Sequence, residues 1–298
     1  MIRKTALAGV CILAVALIPN WEHQIQNLNK LQVLGKTVKF SDVRSAPELA
    51  LIVDKPETSA KSILAYDYTS GSFLYTANFD ERLPIASLTK LTTALVVADS
   101  GKLNDIIEIT EEDTKVIGPN TGLVPYEKIR ASELLKAMLI SSHNDSTQVL
   151  ARHVGGTIEN FVKLMNEKAI KLGLQNTHYV NPVGFDDDYH YSNALDISKV
   201  IQEFSKNDQF NTIVKTKETE ISSVDNFFKH KIITTNKLLL EDENVIGVKT
   251  GFTSQAKGNL AIRSKKDRAD VVTIVLGSDD REGDTRKILD WISTVYRW

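Results

Sequence analysis

The sequence predicts an α+β fold, with antiparallel strands near both ends of the chain and helices between them. Three observations carry that expectation. Two short apolar runs flank a turn early in the patterned region. The middle of the chain repeats apolar residues at helical spacing. The last third holds three strand-like runs joined by short Gly- and charge-rich turns, and strands linked so tightly pair antiparallel. The 298 residues suffice for one large domain or two small ones. A hydrophobic share of 42% beside 25% charged residues is the balance of a globular protein with a sizeable core. The net charge of −2 and the lack of a basic stripe give no sign of a nucleic-acid partner. No internal repeat or low-complexity tract divides the chain.

In chain order, Arg3 and Lys4 precede an apolar run from Ala6 to Pro19, the pattern of an export signal. The run is short for a full membrane span, which needs roughly 20 residues. Residues 1–20 are therefore read as a signal peptide or an N-terminal membrane anchor. Ala14-Val15-Ala16 offers a small-x-small cleavage site but leaves a short apolar core, so both readings stay open. Either one exports the protein, to the periplasm or the outer face of the cytoplasmic membrane. Membrane contact is expected through this segment only. Cys11, the single cysteine, lies within it, so no disulfide forms inside the chain. Val10 is not the small residue that a lipid-attachment site wants before its cysteine. Residues 21–57 are weakly patterned and read as a stalk, leaving 58–298 as the catalytic domain.

Ser62–Asp67 and Phe73–Tyr75 read as a hairpin around Tyr68-Thr69-Ser70-Gly71. Pro84 leads into a helical run that begins near Ser87, with Leu88, Leu91, Leu95 and Val96 on related faces. Residues 102–130 look like short strands and loops. Helices are expected over 132–140, 147–154 (ended by Gly155-Gly156), 158–172 (closed by Gly173) and 196–204. Residues 221–235 hold strand-like pieces. Strands follow over 245–249, 260–264 and 271–276, and a helix over 284–296 closes the chain.

Three short strings carry chemistry. Ser87 and Lys90 in Ser87-Leu88-Thr89-Lys90 are three apart, which puts both on one face of a helix. A serine hydroxyl needs a base to become a nucleophile, and a lysine serves once burial or a second cation lowers its pKa. A serine near a helix N-terminus also offers backbone donors to an oxyanion. Alone, the string equally describes a helix start with a solvated lysine. Ser142-His143-Asn144 supplies a hydroxyl to relay a proton to the leaving amine, and an amide to hold Lys90 or a substrate carbonyl. Alone, it is a polar loop between helices. No second His or Cys stands at ligand spacing from His143, so no metal is expected, nor any cofactor. The His143 side chain is expected to point away from the reaction. Lys249-Thr250-Gly251 ends an apolar strand with a cation, a hydroxyl for a carboxylate, and a glycine that lets a ligand backbone approach. The amide of Phe252 is a candidate oxyanion donor beside that of Ser87. Alone, this is a strand running into an ordinary turn. Three strings in order, each on a fitting element, point to a serine acyl-transfer enzyme.

At these residues the chain resembles the low-molecular-mass penicillin-binding proteins of the serine D-alanyl-D-alanine carboxypeptidase family. The likeness runs over roughly 58–297. It includes Leu83–Ala94 around the nucleophile, Leu139–Asp145, Met165–Ala169, Leu172–His178, Asn181–Asp187, His190-Tyr191-Ser192 and Gly247–Thr253. It implies a β-lactamase/DD-peptidase-like antiparallel sheet flanked by helices, with an inserted mainly helical subdomain and the site between them. It also implies a substrate, the D-Ala-D-Ala end of a peptidoglycan stem peptide, and β-lactam antibiotics as inhibitors. Ser87 would attack, Lys90, Ser142 and Asn144 would assist, and Lys249, Thr250, Gly251 and Phe252 would bind substrate. Arg281, ten residues before Trp291, fits a family arginine that helps hold the terminal carboxylate; otherwise it is a surface charge. The chain departs from the pattern at Lys257, where a glycine is usual, at Tyr126, which replaces a frequent glycine, and at His143, where a small residue is commoner. It stops at Trp298, about where the catalytic domain should end.

A class A β-lactamase would share the strings but add a deacylating Glu on a loop after the second one. Residues 170–195 carry Asn181-Pro182-Val183-Gly184 instead. A D,D-endopeptidase cutting cross-links uses the same chemistry and stays as the alternative. A non-catalytic peptidoglycan-binding protein has no need of Ser87, Lys90 and Lys249 together.

Overall fold

A computed structural model describes residues 46–298 and, before them, one strand pair, β1 (Lys30–Val33) with β2 (Lys36–Lys39), antiparallel. Contacts divide the chain into two units, 1–45 and 46–298. The expected signal or anchor over 1–20 lies outside the described residues. Among the described residues, no helix is long and apolar enough to cross a membrane.

The larger unit is built on a five-stranded antiparallel sheet whose order mixes the two ends of the sequence. It comprises β4 (Ser62–Asp67), β5 (Phe73–Ala77), β10 (Val245–Thr253), β11 (Lys257–Lys266) and β12 (Ala269–Ser278), arranged β10-β11-β12-β4-β5. The helical segment is inserted between β5 and β10. Both faces of β4 are covered. Alternation sends Leu64 and Tyr66 to the helical side, and Ile63 and Ala65 to the side of the C-terminal helix. That is why this strand reads as an unbroken apolar run rather than an alternating one.

The insert contains α1 (Thr89–Asp99), α2 (Ala131–Ile140), α3 (Asn144–Gly155), α4 (Ile158–Lys171), α5 (Ala194–Phe204) and α6 (Asp208–Val214). Its short strand pairs are β6 (Ile106–Glu108) with β7 (Lys128–Arg130), and β8 (Glu218–Ser222) with β9 (Lys229–Ile233). Leu91, Leu135, Leu150, Phe161 and Ile197 from different helices share one core with Leu64 and Ile274 of the sheet. Burying each such side chain contributes roughly 1.5–3 kcal/mol, so α1, which carries Lys90 of the first string, is anchored along its length.

On the opposite face, α8 (Arg281–Val295) packs Ile288 and Ile292 against Val271 and Val275. The short helix α7 (Lys237–Glu241) leads into β10. Residues 46–57, read from sequence as the end of a stalk, run along this unit. β3 (Glu48–Leu49) pairs with β13 (Tyr296–Arg297), and the Trp291 indole donates to the carbonyls of Val53 and Asp54.

Candidate active site

The chain enters α1 through a 3-10 turn, Ala86–Leu88, so Ser87 sits one turn ahead of the helix proper. Ala86 has φ +46, a left-handed conformation that costs a residue with a Cβ about 1–2 kcal/mol. The turn lifts Ser87 out of the helix axis while keeping it one turn from Lys90. Lys90 is fully buried. Its Nζ lies 2.9 Å from Asn144 Oδ1, 2.9 Å from the Val183 carbonyl and 2.8 Å from Ser87 Oγ. Burial, reinforced by the charge of Lys249, holds its pKa well below the ordinary lysine range. A neutral amine has two N–H donors and one lone pair. In that form, with both donors taken by carbonyl oxygens, the lone pair would face the Ser87 proton.

The second string occupies the turn between α2 and α3. Ser142 is at φ +63, and Asn144 is the first residue of α3. Asn144 is fixed on three sides. Its backbone N–H donates to the Pro119 carbonyl at 2.7 Å, its Nδ2 donates to the Ile117 carbonyl at 2.9 Å, and its Oδ1 accepts from Lys90. Gly118, at φ +89, has no room for a side chain: a Cβ there would stand 2.6 Å from Asn144 Nδ2. Ser141 joins the turn to β9 through both backbone groups of Ile233, at 2.6 and 2.9 Å. The His143 ring sits 3.0 Å from Thr121 Oγ1, through Nδ1. Burial keeps its pKa below normal.

The third string lies within β10, which continues past it to Thr253 rather than ending there. Lys249 is buried, with Nζ 3.1 Å from the Thr250 carbonyl. Burial and the nearby Arg281 bring its pKa down to about 7. The hydroxyl of Thr250 meets that of Thr235 at 2.5 Å. Gly251 runs against the nucleophile turn, where a Cβ would be 2.9 Å from Ser87 N and 3.1 Å from Ala86 Cβ. Only glycine permits that approach, which brings the end of β10 beside the amide of Ser87. Arg281, on the first turn of α8, donates through Nη1 to the Gly251 carbonyl at 2.8 Å and through Nε to Glu282 at 2.9 Å. It therefore braces the strand carrying the third string. Phe252 is exposed at the rim.

Ser87, Lys90 and Asn144 thus form one hydrogen-bonded group. Gly251 abuts that group, and Lys249 acts on it through its charge. Three participants had no motif to announce them. Val183 contributes a backbone carbonyl, which any residue type carries. Thr235 is an unremarkable threonine in a loop. Asp186 accepts from Thr253 Oγ1 at 2.5 Å and so ties its loop to the end of β10. The only advance signal for two of them was the Asn181–Asp187 stretch.

A family model described as D-alanyl-D-alanine carboxypeptidase matches residues 50–280. D-alanyl-D-alanine carboxypeptidase DacF of Bacillus subtilis is 34% identical over 246 residues, covering 80% of this chain; the chain spans 63% of that relative's length. A D-alanyl-D-alanine endopeptidase of Pseudomonas aeruginosa is 31% identical, covering 88% of this chain and 86% of its own. The crystal structure of the Streptomyces K15 DD-transpeptidase superposes with a TM-score of 0.77 at 28% identity, over 82% of this chain and all of that one.

Proposed function

The chain belongs to the D-alanyl-D-alanine carboxypeptidase family, and from that premise we propose that it removes the terminal D-alanine of peptidoglycan stem pentapeptides through an acyl-enzyme on Ser87. The observation that carries the reading is the three-way coordination of Lys90 Nζ by Asn144 Oδ1, the Val183 carbonyl and Ser87 Oγ.

Neutral Lys90 takes the Ser87 proton as Oγ bonds to the penultimate carbonyl carbon. The oxyanion is held between the amides of Ser87 and Phe252. Collapse breaks the C–N bond. The departing amine takes the proton from Lys90 through the Ser142 hydroxyl, leaving an ester that water then hydrolyses. Lys249, Thr250 and Arg281 receive the terminal carboxylate, and a bound anion favours the charged form of Lys249. Penicillins enter as acylating mimics and leave slowly, since no deacylating glutamate occupies the 181–184 turn. The substrate is part of the cell wall. A cell-wall substrate calls for a site outside the cytoplasm, in the periplasm or on the outer face of the membrane, and the charge-then-apolar pattern of residues 3–19 supports export.

The test is to incubate the purified protein with a pentapeptide ending in D-Ala-D-Ala, with a D,D-cross-linked muropeptide, and with a fluorescent penicillin. Free D-alanine, a stable label on Ser87, and loss of both in Ser87→Ala are expected. Cleavage of the cross-link without release of D-alanine would replace the reading with an endopeptidase. Neither product nor label would overturn it.

A further inference from the structure

The 179–190 loop packs against the polar side of α1 residue by residue. Thr92 Oγ1 meets the Tyr179 hydroxyl at 2.7 Å, Thr93 Oγ1 donates to the Pro182 carbonyl at 2.7 Å, and Lys90 donates to Val183. The fourth contact, between Thr89 and His190, is chemically directional. His190 is buried, and burial pushes its pKa down to about 4, so the ring is neutral. Val180 N–H donates to Nδ1 at 3.1 Å, which places a lone pair there and the ring proton on Nε2. Nε2–H therefore donates to Thr89 Oγ1 at 2.7 Å, and the Thr89 hydroxyl in turn donates a hydrogen bond to the Ala86 carbonyl at 2.8 Å.

That carbonyl belongs to the same planar peptide unit as the Ser87 N–H. Fixing one end of the unit fixes the other. The unit follows the left-handed Ala86, a conformation that the local sequence does not favour. Gly184 closes over the same carbonyl, since a Cβ there would stand 1.9 Å from Ala86 O.

We propose that His190 is a positioning residue for the oxyanion site: acting through Thr89, it orients and polarises the Ala86–Ser87 peptide, whose N–H stabilises the oxyanion. The inference rests on the acyl-enzyme chemistry proposed above. Chains of hydrogen bonds polarise one another, so the carbonyl that accepts from Thr89 makes its partner N–H a stronger donor. His190 does not touch substrate.

The experiment measures acylation by a fluorescent penicillin in wild type, His190→Leu, His190→Gln, Thr89→Val and the Leu/Val double variant, each normalised to folded protein by circular dichroism. His190→Leu and Thr89→Val are expected to slow the acylation step about 10- to 100-fold, less than complete loss of an oxyanion donor, with the initial non-covalent affinity held. The double variant should be no slower than the worse single, because both break one chain of bonds. Glutamine can accept from Val180 through Oε1 and donate to Thr89 through Nε2, so His190→Gln should recover most of the rate. In the infrared, the acyl-enzyme ester carbonyl should move to higher frequency in the two single variants, as a less polarised bond does. A purely structural role would lower stability while leaving that frequency and the rate of the folded fraction unchanged, and this result overturns the proposal. Should His190→Leu fail to fold, Thr89→Val alone decides by the same two readouts. A wild type that does not acylate sinks the proposed function and this inference with it. A wild type that acylates beside equally fast variants sinks the inference alone.

Discussion

Replacing Asn144 by aspartate tests whether Lys90 works as a neutral base. The change is nearly isosteric, but it sets a carboxylate where Oδ1 now stands, 2.9 Å from Lys90 Nζ. At an effective dielectric of about 20, two unit charges at that distance attract by about 6 kcal/mol. That corresponds to a rise of about 4 pKa units in Lys90 as a ceiling. The new carboxylate also faces the Ile117 carbonyl that Nδ2 now satisfies, a penalty of about 1–3 kcal/mol that works against its ionisation. The net rise is therefore about 2 units or more. Acylation by a fluorescent penicillin is followed by stopped flow from about pH 5 to pH 10; the ratio of variant to wild-type rate should fall by up to about 100-fold on the acid side and recover as pH increases, the acid limb being displaced upward. Lys249, whose pKa burial and Arg281 bring down to about 7, is common to both proteins, so any alkaline fall it causes cancels in the ratio, which reads the acid limb. Asn144→Ala removes the acceptor without adding charge and should not raise that limb. A uniform slowing of Asn144→Asp at every pH, with the limb where wild type has it, would refute Lys90 as the base.

Two other perturbations read different parts of the molecule. In Gly251→Ala the new Cβ meets Ser87 N at 2.9 Å and the Ile85 carbonyl at 3.2 Å, and backbone atoms yield little. The end of β10 must retreat from Ser87 and spoil one oxyanion donor, so acylation should drop roughly 10²–10³-fold while labelling remains detectable; wild-type rates would show that the close approach is not needed. The buried contact of His230 Nε2 with Glu127 Oε1, at 2.9 Å, raises the His230 pKa through that hydrogen bond. A raised folded-state pKa stabilises the protein fully below the unfolded value of about 6.5 and ceases to as pH climbs through the folded value. The melting temperature lost in His230→Gln should thus be larger at acid than at alkaline pH, and an equal loss at both would mean that the ring is uncharged throughout.

The site was legible from sequence where its geometry is local. Ser87 and Lys90 are one helical turn apart, so their spacing alone places them together. The strands of 245–278 were legible too, because short turns leave antiparallel pairing as the simple solution. The helices α6 and α7 were missed because seven and five residues give too little periodicity to separate them from loops. Residues 46–57 were read as a stalk because their partners, β13 and Trp291, lie at the other end of the chain.

By itself the sequence determined which reactive groups the protein has, their order, and the elements that hold them. The tertiary structure decided what those groups are chemically. Lys90 is suited to the proposed role of base because the fold buries it, sets Lys249 nearby, and offers Asn144 Oδ1 and the Val183 carbonyl from 54 and 93 residues away. The Asn144 amide was marked by its motif, but the Val183 carbonyl is a backbone group that no residue type announces. Desolvation is a property of the assembled core, so no window of sequence contains it.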